Sequence, residues 1–100
     1  LGMRASGFRP SEERRPLIAP TEVVDGRALQ GVVHDPTTRM MGGVAGHAGL
    51  FTVAGDLARF ARMLLAGGAL DGARVLRPET ITEMTRAQHA LADRRGLGWD

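Results

Sequence analysis

A run of small residues leads straight into an amphipathic helical pattern, and this pairing constrains the chain more than any other feature. The run, residues 42–49, contains four glycines and two alanines. Because glycine has no Cβ, such backbone can approach a ligand or another strand closely. Apolar side chains then recur at the spacing of one helical face, at Leu57, Phe60, Ala61, Leu64 and Leu65. The sequence thus predicts a close-approach loop anchored by a core helix from about Ala54 to Ala66, which Gly67-Gly68 ends.

Turn residues divide much of the remaining chain into short pieces. Asp25-Gly26 marks a turn after a short strand at Thr21–Val24, and Asp71-Gly72 marks a turn within a small hairpin. Pro78-Glu79 predicts the first turn of a second helix, because proline is preorganised there and an acid favours the helix dipole. The chain is therefore expected to be mainly helices and loops with a few short strands.

Other stretches are expected to be less regular. Residues 1–10 are predicted to form a loop, and the prolines of residues 16–20 predict extended surface chain. Asp35 precedes a proline, so its backbone should be extended and its carboxylate can cap a helix or bind. Met40 and Met41 are expected to begin a short helix or to fill gaps in the packing.

Composition excludes several kinds of site from these 100 residues. All 13 basic residues are arginines interleaved with acids, so we expect no nucleic-acid partner. Cysteine, lysine, tyrosine and asparagine do not occur, which excludes a thiolate metal site, a lysine phosphate loop and a Ser-x-x-Lys nucleophile within this stretch. The glycines do not fit a dinucleotide-binding pattern, and no apolar run approaches the roughly 20 residues of a membrane span.

Histidines supply the candidates for chemistry. His34 and Asp35 could ligate a metal only with further ligands, so we favour the alternative in which Asp35 caps backbone and His34 forms a local contact. His47 lies inside the glycine-rich run, where an imidazole can touch a ligand and transfer a proton. Ser6 and Ser11 are the only serines, and neither lies in a G-x-S-x-G turn, so a self-contained catalytic triad is not expected.

Several motifs follow one another in an order that resembles a known family. Residues 31–35 read Gly-Val-Val-His-Asp, and residues 42–51 read Gly-Gly-Val-Ala-Gly-His-Ala-Gly-Leu-Phe. Asp56-Leu57-Ala58-Arg59-Phe60 and Gly96-Leu97-Gly98-Trp99 follow. Together they resemble the serine β-lactamase-related hydrolases, which include class C β-lactamases and penicillin-binding-protein-like esterases and peptidases. The resemblance covers essentially the whole chain.

The resemblance implies an α/β (α+β) β-lactamase/transpeptidase-like fold in a parent protein. Residues 1–100 would be an internal fragment of that single domain and not an independent domain. Members of the family acylate a serine in Ser-x-x-Lys, assisted by Tyr-x-Asn and a later Lys- or His-x-Gly strand. None of these motifs occurs in this chain, so we expect it to hold no catalytic residue and no cofactor or metal, and to be inactive alone.

What the resemblance assigns to this chain is part of the pocket wall. Gly46, His47, Ala48 and Gly49 match the family's loop beside the active site and are the expected substrate-binding residues, while His34 and Asp35 are expected to shape the pocket. The implied substrate is a small-molecule ester, a β-lactam or a D-amino-acid peptide, and by analogy the parent would be exported or periplasmic. The rival interpretation is a non-catalytic ligand-binding or structural module derived from the same fold.

One departure from the family pattern concerns the start of the long helix. Related sequences usually read Ser-Thr-Ala-x-Asp-Leu there, whereas this chain reads Thr52-Val53-Ala54-Gly55-Asp56-Leu57. Valine cannot cap a helix, which predicts a loss of about 1 kcal/mol unless Thr52 takes that role.

Overall fold

The computed structural model describes residues 1–90 and 95–99. These residues form helices and short two-stranded antiparallel sheets, as the sequence predicts. The strands are β1 (Gly7–Phe8), β2 (Val23–Val24), β3 (Arg27–Ala28), β4 (Leu50–Phe51), β5 (Ala69–Leu70) and β6 (Ala73–Arg74). The helices are α1 (Pro36–Met40), α2 (Ala54–Leu65) and α3 (Pro78–Thr85). No helix in this described part is long and apolar enough to cross a membrane.

The chain divides into two compact units. The first, Arg4–Ala54, contains the glycine-rich run and is called the loop unit below. The second consists of Leu1–Met3 with the chain from Gly55 onward, and is called the helix unit.

Within the loop unit, two antiparallel pairs hold the backbone. Strand β1 pairs with β4, with Gly7 opposite Phe51 and Phe8 opposite Leu50. Strands β2 and β3 form a hairpin whose turn residues, Asp25 and Gly26, both have positive φ (49° and 74°). Two successive residues with positive φ define the hairpin turn that suits the twist of antiparallel strands, which confirms the predicted Asp25-Gly26 turn.

Small and polar residues occupy much of the buried part of the loop unit. Val33, Thr38, Gly31 and Gly49 are buried, and Thr38 has no exposed surface. Because a buried threonine must find hydrogen-bond partners, the position of Thr38 governs the candidate site described below.

The helix unit is built on α2 and its ends. Met63 is fully buried and Leu70 nearly so. Arg59, in the middle of α2, donates from Nε to the carbonyl of Leu1 at 2.5 Å and from Nη2 to Asp71 Oδ2 at 2.6 Å. The second contact anchors the β5–β6 hairpin, whose turn residues Asp71 and Gly72 again have positive φ. This confirms the predicted Asp71-Gly72 turn, with the return strand at Ala73–Arg74.

Both longer helices lie close to their predicted positions. Helix α2 begins at Ala54 and ends one residue before the predicted Ala66. Helix α3 begins at Pro78 with Glu79 in its first turn, as predicted. The burial predicted for α2 is only partly correct, because Phe60 and Leu64 are partly buried but Leu57 and Leu65 are 55% and 89% exposed. Instead Asp56 and Met63, seven residues apart on one helical face, are its buried residues.

Three further predictions also need correction. Residues 1–10 contain β1, and Met40 and Met41 lie at the end of α1, largely exposed, where the sequence predicted a helix start or buried gap fillers. Arg15–Leu17 forms a single 3₁₀ turn with a proline near its start, within chain predicted to be extended. A strand of two residues is too short to show an alternating pattern, so β1 and β4 left no periodic signal.

Candidate functional site

Asp35 positions the first part of the site by capping α1. Its backbone is extended (φ −63°, ψ 122°), and its Oδ1 accepts a hydrogen bond from the backbone N–H of Thr38 at 2.6 Å. Pro36 follows as the first helical residue, where a missing N–H costs nothing. The Asp-Pro-Thr-Thr sequence thus forms a capped helix start, which confirms the extended conformation and capping role predicted for Asp35.

His47 joins this cap from the glycine-rich run. Its Nε2 lies 3.0 Å from Thr38 Oγ1 and 3.2 Å from Asp35 Oδ1. The side chain of His47 is 58% exposed, whereas Thr38 is completely buried. Asp35, Thr38 and His47 are called the Asp35 cluster below. The sequence pointed to Asp35 and His47 but not to Thr38. Thr38 could have been found from its position three residues after the capping acid, where its backbone N–H meets the cap.

The carboxylate of Asp35 decides which nitrogen of His47 carries the hydrogen that faces it. The backbone N–H of Thr38 lowers the pKa of Asp35 most, followed by the Thr38 hydroxyl. The hydrogen bond and charge of His47 lower that pKa further. An ionised carboxylate only accepts hydrogen bonds, so His47 Nε2 must carry the hydrogen that faces Asp35. In the neutral ring, Nδ1 then keeps its lone pair, and among the described residues it has no hydrogen-bond partner.

The Asp35 cluster contains the group types of a catalytic triad but not its arrangement. In a triad, the hydroxyl and the carboxylate bind opposite nitrogens of the imidazole, so that one nitrogen accepts the proton while the other is held. Here Thr38 and Asp35 both contact Nε2, and the Thr38 hydroxyl is buried away from any substrate. The arrangement therefore fixes the position of His47 and does not activate Thr38 as a nucleophile.

Backbone contacts hold the rest of the glycine-rich run. The N–H of Gly43 donates to the carbonyl of Thr38 at 2.8 Å, and the N–H of Ala45 donates to the carbonyl of Ala48 at 3.2 Å. A Cβ on Gly49 would lie 2.5 Å from the carbonyl oxygen of Gly43, and φ at Gly49 is 103°. The close approach predicted for these glycines thus occurs here between the two ends of the run itself.

His34 forms a separate contact. Its Nε2 lies 3.1 Å from Glu22 Oε2, and both side chains are partly exposed. His34 and Asp35 are therefore adjacent in sequence but bind different partners. The described residues contain no group of three or more histidine, cysteine, aspartate or glutamate side chains arranged to hold a metal ion.

A cleft of about 1010 Å³ lies within the loop unit. His34, Asp35, Ala48 and Gly49, four of the predicted site residues, line it. Gly46 and His47 do not. Apolar side chains contribute much of the wall, among them Phe8, Ile18, Leu50, Phe51 and Val53. A mostly apolar cleft with a few polar groups is typical of sites for small molecules and peptides.

Each of the two serines contacts a side chain other than His47. Ser6 Oγ lies 2.7 Å from Thr52 Oγ1, and Ser11 Oγ donates to Glu13 Oε2 at 3.4 Å. The His47 contacts, by contrast, are to Asp35 and Thr38. The described contacts thus pair neither serine with His47 as a nucleophile would require.

Comparison with known proteins gives relatives along nearly the whole chain. The chain is 33% identical over 117 residues to a protein of Salmonella enteritidis PT4, and the match covers 99% of the chain. It is 34% identical over 108 residues to a protein of Escherichia coli K12, covering 93% of the chain. Both relatives carry the provisional name D-alanyl-D-alanine carboxypeptidase. The chain is thus distantly homologous to proteins of that name, in line with the resemblance to penicillin-binding-protein-like peptidases.

These matches extend over a limited part of the relatives. The chain spans about a quarter of their length, 26% for the Salmonella protein and 23% for the E. coli protein. No family model matches the chain. No solved structure matches it either.

Proposed function

We propose that the chain belongs to a serine peptidase related to the penicillin-binding proteins and supplies part of its substrate pocket. The observation that carries this proposal is the 33% identity along 99% of the chain to a protein named for D-alanyl-D-alanine carboxypeptidase activity. The parent fold would be the β-lactamase/transpeptidase-like fold. The substrate would be a peptide ending in D-alanine, a choice that the names of the relatives favour over an ester or a β-lactam.

In this proposal the catalytic serine, lysine and tyrosine come from outside these 100 residues, since the chain contains no lysine or tyrosine. The serine attacks the carbonyl of the peptide, D-alanine leaves, and water releases the acyl group. Gly46, His47, Ala48 and Gly49 contact the substrate, Ala48 and Gly49 from the wall of the cleft and Gly46 and His47 from the same loop outside that wall, while His34 and Asp35 shape the cleft. Because Asp35 and Thr38 occupy Nε2 of His47, the lone pair on Nδ1 is the group that accepts a hydrogen bond from a substrate N–H.

The test begins with the full-length protein and a peptide that ends in D-alanyl-D-alanine. We expect release of D-alanine, and a penicillin should add its own mass to the protein because the acyl-enzyme accumulates. The 100-residue chain alone should show neither reaction. A penicillin adduct on the isolated chain would contradict the assignment of catalysis to other residues. Absence of both reactions in the full-length protein would favour the non-catalytic binding module.

Substitution of His47 tests the residue assignment separately. His47→Ala should raise KM about tenfold by removing a substrate hydrogen bond and loosening the loop. His47→Gln retains a donor toward Asp35 and Thr38 and should restore the loop, but it does not reproduce the Nδ1 acceptor. His89→Ala is the matched control and should leave KM unchanged. If His47→Ala and His89→Ala have equal KM values, the loop does not contact substrate.

A further inference from the structure

A second pocket in the loop unit is lined by three arginines. It has a volume of about 300 Å³, and Arg9, Arg15 and Arg39 contribute to its wall. No acidic residue is among its lining residues, which are otherwise glycine, valine, proline and phenylalanine. The pocket shares one wall with the larger cleft, but Arg39 lines only the smaller one.

Arg9 is held in place by the end of α1. Its Nε donates to the carbonyl of Gly42 at 2.7 Å, and a Cβ on Gly42 would lie only 3.1 Å from Arg9 Nη2. Gly42 has a φ of 80°, which disfavours any residue with a Cβ. The guanidinium of this exposed arginine thus lies against bare backbone, and its Nη groups make no hydrogen bond to the described residues.

Arg15 is held in a similar way against another glycine. A Cβ on Gly31 would lie 2.5 Å from Arg15 Cγ, and Gly31 is buried with a φ of 67°. The partner of the Arg15 head group is Glu12, at 3.9 Å and with its side chain 90% exposed. An ion pair that long and that exposed neutralises little of the arginine's charge.

Arg39 lies in the last turn of α1 and is half-buried. Its guanidinium forms no hydrogen bond or ion pair with the described residues. A half-buried cation without a hydrogen-bond or ion-pair partner, in a pocket whose wall contains two further arginines, is electrostatically unfavourable unless an anion or water compensates it.

We propose that this pocket binds a phosphate group. A pocket wall with three arginines and one weak acidic partner among their contacts matches a multiply charged anion better than a single carboxylate. Guanidinium also presents paired donors that fit phosphate oxygens. The amides of Gly42 and Gly43 already donate to the carbonyls of Arg39 and Thr38, so recognition rests on the arginine side chains. The inference does not depend on the proposed peptidase activity.

The test measures binding of inorganic phosphate to the full-length protein by amide chemical shifts at constant ionic strength. We expect saturable shifts at Gly31, Gly42 and Gly43, and acetate should bind at least tenfold more weakly because it carries one charge. Arg39→Met, which removes a guanidinium that makes no hydrogen bond or ion pair with the described residues, should weaken phosphate binding about tenfold. Arg27→Met makes the same change on exposed strand β3 and should leave the affinity unchanged.

Phenyl phosphate distinguishes the two possible ligands, free phosphate and a phosphate group on a larger molecule. Equal affinity for phenyl phosphate and inorganic phosphate would mean that the pocket takes free phosphate, and tighter binding of the ester would mean that it takes a phosphate on a larger ligand. The proposal is overturned if phosphate causes no saturable shifts. It is also overturned if Arg39→Met and Arg27→Met weaken binding equally, since the attraction would then be general. Arg15→Met, expected to match Arg39→Met, covers the case in which Arg39→Met does not fold.

Discussion

Helices α1 and α2 end in the same way, at a pair of glycines, but different forces hold the chain that follows each pair. In both, the first glycine donates to the carbonyl three residues back and the second to the carbonyl five residues back, the pattern of a Schellman motif. The distances are 3.1 Å (Gly42 to Arg39), 2.8 Å (Gly43 to Thr38), 3.0 Å (Gly67 to Leu64) and 2.8 Å (Gly68 to Met63).

Beyond α1, polar side chains hold the loop. His47 reaches back to Asp35 and to the buried Thr38. Beyond α2, the carbonyl of Gly68 accepts from the N–H groups of Val75 (2.9 Å) and Leu76 (3.1 Å). Arg74 Nη1 adds side-chain bonds to the carbonyls of Gly67 (3.1 Å) and Leu76 (3.0 Å). The first connection therefore depends on side-chain chemistry and on the charge of Asp35. The second contains no carboxylate–histidine contact and depends on the absence of a side chain at Gly68 together with the Arg74 bonds to backbone carbonyls.

The largest effect is expected where backbone meets backbone. A Cβ on Gly68 would collide with the carbonyl of Leu76, and φ at Gly68 is 92°. Gly68→Ala should lower the free energy of unfolding of the full-length protein by about 3 kcal/mol, combining strained φ with steric overlap. Gly72→Ala is the control, with positive φ but open space, and should cost about 1 kcal/mol. Equal losses in urea unfolding would show that the overlap is relieved.

The second effect concerns the side chains beyond α1. Thr38→Val keeps the shape but removes the hydroxyl near Asp35 and His47, and should lower the free energy of unfolding by about 1–2 kcal/mol. Thr37→Val, on the exposed face of the same helix, should change it by less than about 0.5 kcal/mol. Thr38→Ser should recover part of the loss. If both valine variants lose the same stability, the hydroxyl contacts do not stabilise the loop.

The difference between the two connections also explains how far the sequence could predict each. Helix boundaries and turns follow from local rules, so Gly67-Gly68, Asp25-Gly26 and the Asp35 cap were predictable. The meeting of His47 with Thr38 joins residues nine apart through side-chain geometry, for which no local pattern exists. Strands β1 and β4 have two residues each and pair across more than forty residues of chain. No local sequence pattern predicts that pairing either.

The exposed side of α2 illustrates a second limit. The periodicity of its apolar residues predicted a helix correctly, because an amphipathic pattern reports the helical period. It identified the buried face only in part, since Leu57 and Leu65 are exposed and Met63, outside the predicted stripe, is buried. Periodicity alone does not say which neighbours cover a face. For the site, the residues His34, Asp35 and Gly46–Gly49 remain a prediction about substrate contact.

The third prediction is that pH changes the stability of the connection after α1 but not of the connection after α2. Hydrogen bonds from Thr38 and His47 hold the pKa of Asp35 below its ordinary value of 3.8. A depressed folded pKa adds stability that is present above the unfolded pKa and is lost as the pH falls through the folded pKa. The gap in melting temperature between wild type and Asp35→Asn should therefore be full at about pH 6 and shrink below about pH 4.

Gly68→Ala provides the contrast for this measurement. Its effect is steric, so its gap from wild type should stay constant over the same pH range. If the difference in melting temperature between wild type and Asp35→Asn is also constant over this pH range, the prediction is wrong. Asp35 would then stabilise the loop by its shape and not by its charge.

The smallest effect is expected at the start of α2. Val53 occupies the capping position and is 48% exposed, while the hydroxyl of Thr52 is engaged with Ser6 at 2.7 Å and with the carbonyl of Val53 at 3.4 Å. Val53→Thr adds an acceptor for the first helical N–H groups and should raise the free energy of unfolding by about 0.5–1 kcal/mol.

Val44→Thr makes the same change in an exposed part of the glycine-rich run and should be neutral within about 0.5 kcal/mol. An unchanged or lower melting temperature for Val53→Thr would mean that the helix start is already satisfied. Side-chain capping would then matter at α1 but not at α2, which would sharpen the contrast between the two helices.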